Sequence, residues 1–204
     1  MIYLDFAAAT PVHPKVLEVM LPYFSENFYN PSAPYLPAKY LRGEYEAKKS
    51  ALAQTIGAKS PDLVITAGAT ESINLAFTVL RNYPDAEALI LATEHASVRE
   101  SARHYAKKVA EIAVDQTGLI DLKDLTAKIT EKTVLISVAI ANNELGTIQP
   151  LSEIAEMIRK IREQRLAAGN LTPLYLHSDA SQAASLLDLS VARLGVDLLT
   201  LNSA

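Results

Sequence analysis

Apolar residues recur in this chain with two different spacings. Short runs that are apolar on both faces predict strands covered by helices on both sides: VITA (64–67), ALILA (88–92), VAEIAV (109–114), TVLISVAI (133–140), LYLHS (174–178) and DLLTL (197–201). Between them the period is helical. Ile73, Ala76, Phe77 and Leu80 form one stripe between Thr70 and Asn82. Leu151, Ile154, Ala155, Ile158 and Ile161 form another, with Pro150 suited to the start of that helix. A further helix is expected from about Ala38 to Ile56, with Leu41, Tyr45, Leu52 and Ile56 facing inward. Alternating strands and helices predict an α/β fold with a mostly parallel sheet and right-handed crossovers.

In such a sheet, ligands bind beyond the carboxyl ends of the strands. The chemistry is therefore sought just after Ala67, Ala92, Ile140, Ser178 and Leu201. GATES (68–72) puts a glycine turn at a helix start, where amide N–H groups and hydroxyls make a phosphate cradle. The same residues also suit a plain capped helix, with Thr70 or Ser72 as N-cap. Thr93-Glu94-His95 offers an imidazole for acid–base work or for stacking on a ring, or an ordinary loop histidine. NNELG (142–146) offers two amides and a carboxylate, which are also turn residues. His177-Ser178-Asp179-Ala180-Ser181-Gln182 places a carboxylate at a strand end, where it partners a positive charge or caps the next helix. Each motif has a bland reading. Together they assemble a phosphate cradle, an imidazole, an amide and a carboxylate at one sheet edge.

Composition narrows the partners. The 204 residues are half hydrophobic and carry a net charge of −4, which gives no electrostatic footprint for nucleic acid. The basic cluster Arg159 to Arg165, interrupted by Glu163, reads as a solvated helix face. There is no cysteine, so disulfides and thiolate metal sites are excluded within the chain. No apolar run reaches membrane-spanning length, and MIYLDFAAATP lacks the pattern of a signal peptide. A cytoplasmic protein with no membrane contact is the expectation.

Six motifs in order carry a resemblance over essentially the whole chain. They are YLDFAAATP (3–11), Asn30-Pro31-Ser32, TAGATES (66–72) with Asn74, Thr93-Glu94-His95, NNELG (142–146) and DASQ (179–182). On them the sequence resembles the cysteine desulfurase group of class V aminotransferase-like pyridoxal-phosphate (PLP) enzymes. The resemblance implies the three-layer α/β/α large domain of the PLP-dependent transferases, incomplete at its C-terminal end. Residues 1–14 would be an arm that packs with a small domain, and 15–204 the PLP-binding domain. It implies that Gly68, Ala69 and Thr70 hold the cofactor phosphate and that His95 stacks on the ring and moves protons. Asn143 and Gln182 would bind the phenolic oxygen, and Asp179 would pair with the pyridine nitrogen.

The match departs from the family at Asn202-Ser203-Ala204. Ala204 stands where the family has a phosphate-contacting histidine, so Asn202 or Ser203 would supply that bond. The cofactor-holding lysine would come next, and a small domain with the persulfide-forming cysteine would follow. Lys107, Lys108 and Lys160 lie on predicted helices away from the strand ends and do not replace that lysine. The stretch from about Arg162 to Thr172 is longer than the family pattern and would extend a surface helix and loop. The implied activity is removal of sulfur from L-cysteine, leaving alanine and an enzyme persulfide for iron–sulfur cluster or thio-cofactor assembly. The implied partners are a second copy in a homodimer and a sulfur-acceptor protein. A selenocysteine lyase or aminotransferase, and a noncatalytic half that binds a complementing half, are the alternatives.

Overall fold

The computed structural model describes residues 2–6, 8–184 and 186–203. It divides into two compact units, Met1–Val64 and Ile65–Ser203. The first unit is helical: α1 (Pro14–Met20), α2 (Pro22–Ser25) and α3 (Leu36–Thr55). His13 caps α1 by accepting the Lys15 amide at Nδ1, and proline lies in the first turn of all three helices. The inward face expected for α3 is corrected. Ile56 is buried, but Tyr45 and Leu52 are exposed and Leu41 is half-buried; Ala38 and Ala53 are the buried positions of the helix. Within this unit α3 packs on a short 3-10 turn, Ser60–Asp62. A turn that small covers alanines rather than a stripe of large side chains.

The second unit carries a five-stranded, wholly parallel sheet in the order β2-β1-β3-β4-β5. Its strands are β1 (Glu87–Leu91), β2 (Lys108–Ile112), β3 (Thr133–Ser137), β4 (Tyr175–Asp179) and β5 (Leu198–Thr200). The helices are α4 (Ala69–Phe77), α5 (Ala96–Tyr105), α6 (Leu122–Lys128), α7 (Leu151–Ala167) and α8 (Val191–Leu194). The strand order reverses at β2. Right-handed crossovers therefore put α5 on one face and α6, α7 and α8 on the other. The side chains agree. Ala88 and Ile90 of β1 join Ile73 and Phe77 of α4 and Val98 and Ala102 of α5 in one buried cluster. Leu89 and Leu91 alternate to the opposite face, where α6 buries Leu125 and α7 buries Leu151, Ile154 and Ile158. Gly195 ends α8 at φ 69°, and a Cβ there would lie 2.6 Å from that of Ala155, so a side chain would wedge α8 off α7.

Three further expectations are corrected. Segment 64–67 is not a strand. It has no strand partner among the described residues, and a strand exists only where another pairs its backbone; Val64 and Ile65 are both exposed. Lys107 and Lys108 are not helical. Lys108 opens β2 at the amino end of the sheet and pairs with Glu87 at 3.5 Å. Arg165 is not on a solvated face. It is buried near the end of α7 and donates to the carbonyls of Thr130, Thr133, Thr172 and Pro173. Its neighbour Arg159 does pair in solvent, with Glu163 at 2.6 Å. In the 162–172 stretch, α7 runs to Ala167 before the chain turns at Gly169.

Candidate active site

The carboxyl ends of β1, β3, β4 and β5 open toward one edge of the second unit. Beyond β1, His95 is the N-cap of α5. Its Nδ1 accepts the Ser97 amide at 3.2 Å and lies 2.7 Å from the Ser97 hydroxyl. The ring is thus oriented from one side and exposed on the rest.

Beyond β3 the chain turns at NNELG. The side chain that makes this turn is Asn142, whose Oδ1 accepts the amides of Glu144 and Leu145. Its Nδ2 donates to the Thr93 carbonyl at 3.3 Å, tying the turn to the β1 end. Gly146, at φ 75°, closes the turn in a conformation that favours glycine. Asn143 sits exposed at its tip.

Asp179 is the last residue of β4 and is half-buried rather than buried. Its Oδ1 accepts both the amide and the hydroxyl of Ser181, at 2.9 and 2.6 Å. It therefore caps a turn and not a helix, and Oδ2 makes no hydrogen bond among the described residues. Gln182 is exposed on that turn, and the Ala180 amide donates to the Thr200 carbonyl, two residues before Asn202. Ala204 lies outside the described residues.

Gly68, not Thr70 or Ser72, occupies the N-cap of α4, and no side chain caps the helix. At φ 165° Gly68 is extended, so the backbone does not demand glycine, and an added Cβ would meet nothing. What the missing side chain leaves is an open helix start whose first amides have no side-chain cap. Glu71 reaches back to the Ala67 amide, and Thr70 is exposed. No group of three acidic or imidazole side chains is arranged for a metal among the described residues.

Behind these ends runs a buried polar chain that the motifs do not reveal. The Ser72 hydroxyl lies 3.0 Å from that of Thr200, which lies 3.0 Å from His177 Nε2. His177 Nδ1 is 2.9 Å from Ser137 Oγ, which donates to Glu94 Oε1 at 3.2 Å. The Ala139 amide donates to the same oxygen at 2.8 Å. This bond explains why β3 ends at Ser137 rather than Ile140. The next amide facing β1 is taken by a side chain. Burial, with Asp179 adding to it, pushes the Glu94 carboxyl up to about 8. Burial pulls the His177 imidazole down to about 4, against the attraction of Asp179.

Both shifts make stability depend on pH. The folded chain keeps the Glu94 proton that the unfolded chain loses above 4.5, so this contribution falls as pH rises toward 8. The folded chain keeps His177 neutral where the unfolded chain takes a proton below 6.5, so that contribution falls as pH drops toward 4. The two oppose each other between 4.5 and 6.5, and Glu94 acts alone above that. At about 1.36 kcal/mol per proton per pH unit, stability should drop by about 2 kcal/mol between pH 6.5 and 8. Urea unfolding midpoints across this range should show the drop in the wild type and a flat profile in Glu94→Gln.

Comparison with known proteins places this arrangement. The aminotransferase class-V family profile matches residues 2–203. A protein named cysteine desulfurase IscS 1 from Archaeoglobus fulgidus is 38% identical over 98% of this chain and 51% of its own length. The cysteine desulfurase IscS of Rickettsia massiliae is 33% identical over 98% of this chain and 48% of its own. The chain thus spans about half the length of these curated relatives. A solved structure described as a NifS-like protein superposes with a TM-score of 0.88 at 28% identity, over 98% of this chain and 54% of its own. One described as SspA in complex with cysteine gives 0.86 at 30% identity, over 98% and 56%.

Proposed function

Because the chain belongs to the aminotransferase class-V family, we propose that it is the PLP-binding half of a cysteine desulfurase. The whole protein would remove sulfur from L-cysteine, leave alanine, and carry the sulfur as an enzyme persulfide to an acceptor for iron–sulfur cluster or thio-cofactor assembly. The observation that carries this reading is one sheet edge holding an open helix start, an exposed imidazole and a carboxylate with an oxygen to spare. That donor set fits PLP, which has a phosphate, a ring face, a phenolic oxygen and a basic ring nitrogen. Relatives and structural neighbours named as desulfurases or NifS-like proteins support it.

In this reading the amides of Gly68, Ala69 and Thr70 bind the phosphate dianion at the positive end of α4, with Asn202 or Ser203 adding a bond. His95 stacks on the ring and, its Nδ1 held by Ser97, exchanges protons with substrate through Nε2. Asn143 and Gln182, both exposed at their turns, bond the phenolic oxygen. Asp179 Oδ2 holds a proton on the ring nitrogen. PLP supplies the electron sink for the pair left at the substrate α-carbon. Residues 1–14 form an arm toward a small domain, residues 15–204 belong to the cofactor-binding domain, and the protein works as a homodimer.

The test is the intact mass of the full-length protein before and after borohydride reduction, with alanine and sulfide measured from L-cysteine. A reduced adduct of PLP mass is expected, and, with a dithiol such as dithiothreitol added to reduce the enzyme persulfide, alanine and sulfide formed in equal amounts. Selenium released from selenocysteine with no sulfur released from cysteine, or amino transfer to a keto acid, overturns the desulfurase assignment.

A further inference from the structure

We propose that Glu94 is a positioning residue. From the buried end of the chain Glu94–Ser137–His177–Thr200–Ser72 it fixes the tautomer of His177, and through Thr200 and Ser72 it fixes the first turn of α4 against the strand ends. The α4 part of the proposal rests on the reading that this turn is the phosphate cradle; the tautomer part does not.

The direction of every hydrogen bond follows from one end. Glu94 Oε1 accepts from the Ala139 amide, which can only donate; the carbonyl oxygen of a neutral carboxyl is its stronger acceptor, so we assign Oε1 as the carbonyl and the carboxyl proton to Oε2. Ser137 donates its one proton to the same oxygen. Its contact with His177 Nδ1 must then be one in which the ring donates, so His177 carries its proton on Nδ1. A neutral ring has its bare nitrogen at Nε2, which accepts from the Thr200 hydroxyl. Thr200, having spent its proton, accepts from Ser72. All three hydroxyls therefore point toward Glu94. Reversing any one would set two donors or two bare acceptors face to face in a dry interior.

The surroundings hold this state. His177 is fully buried, with Phe77 edge-on at 5.8 Å between ring centroids, and its low pKa keeps it neutral. Glu94 Oε2 is buried without a partner and is the oxygen left for the carboxyl proton. The charged groups facing Glu94 are Asp179 at the end of β4 and Arg99 on α5. Arg99 donates to the carbonyls of Ala92 and Glu94 and pairs with Glu111 at 3.6 Å, so its charge is shared elsewhere.

The tie to α4 has mechanical consequence. The segment leading into this helix is not a strand, so no sheet ladder anchors the helix start. The Ser72–Thr200 bond is its polar link to β5, and β5 is bonded to Asp179 through β4. A phosphate grip and a ring-nitrogen partner work together only at a fixed separation. The relay supplies that fixed separation.

The experiment uses the full-length protein labelled with 15N-histidine, together with backbone amide exchange, both without added cofactor. In the wild type His177 should be a single Nδ1–H tautomer that does not titrate from about pH 5 to pH 8. Glu94→Gln keeps an oxygen for Ala139 and Ser137 and should leave the tautomer unchanged. Glu94→Leu removes that oxygen, so Ser137 should donate to Nδ1 and the ring should switch to Nε2–H. Thr200→Val leaves the Glu94 end intact, so it should keep Nδ1–H while amide exchange in the first turn of α4 speeds up. PLP affinity should fall about fivefold to tenfold in Glu94→Leu and in Thr200→Val, the worth of about one hydrogen bond, and by less than about twofold in Glu94→Gln. An Nε2–H ring in the wild type, an unchanged ring in Glu94→Leu, or α4 exchange indifferent to Thr200→Val overturns the proposal. If the tautomer and exchange results hold but no variant, wild type included, binds PLP, the cofactor reading fails and the relay stands.

Discussion

Replacing Asp179 by Asn should lower turnover of L-cysteine by about 10²- to 10³-fold while leaving PLP retention within a few-fold of the wild type. The amide keeps an oxygen for the Ser181 amide and hydroxyl, so the turn after β4 survives. What goes is the negative charge that, in the proposed assignment, would hold a proton on the ring nitrogen. A ring that is not protonated is a poorer sink for the α-carbon electron pair, and loss of one preorganised electrostatic group costs about this much in rate. The phosphate site proposed at the start of α4 would not use this charge. Steady-state kinetics and the cofactor-to-protein ratio after gel filtration separate the two effects, and equal losses in both would sink the assigned role.

The Arg165→Ala variant should be destabilised by about 3–5 kcal/mol, read from its urea unfolding midpoint. The guanidinium donates to four carbonyls that close two loops, at Thr130 to Thr133 and at Thr172 and Pro173. Removing it strands those acceptors and opens space under the end of α7. Arg159→Ala, six residues earlier and paired with Glu163 in solvent, should change stability by less than about 1 kcal/mol. A small effect of Arg165→Ala would mean that water replaces the guanidinium without loss.

Arg159 and Arg165 mark where the sequence is legible and where it is not. Charge spacing alone made both solvated, because a pattern of charges does not say which carbonyls a loop will bring over the helix. The central strands β1 and β3 were legible because each is an apolar run buried on both faces, while the edge strand β2, with Lys108 and Glu111 exposed, shows as a shorter apolar pattern. VITA has the same pattern without a pairing partner, and pairing is a property of two segments rather than one. Of the site, the strand-end motifs were legible, since a parallel sheet fixes where loops converge. The relay was not, although it leaves a trace. Ser137 and Thr200 are single polar residues within apolar runs, and His177 opens the polar end of β4; all three are fully or almost fully buried. Polar groups so placed imply partners, but only the register of β3, β4 and β5 shows that they meet one another.

The Ser72–Thr200 bond joins residues 128 positions apart in the chain. A ribosome adding about 5–20 residues per second needs about 6–26 s to travel from one to the other. During that interval α4 is already made but has no hydroxyl to lock onto. The start of α4 is therefore set late in synthesis, after the strands that neighbour it, and a pause in translation before β5 would prolong the time it spends unanchored.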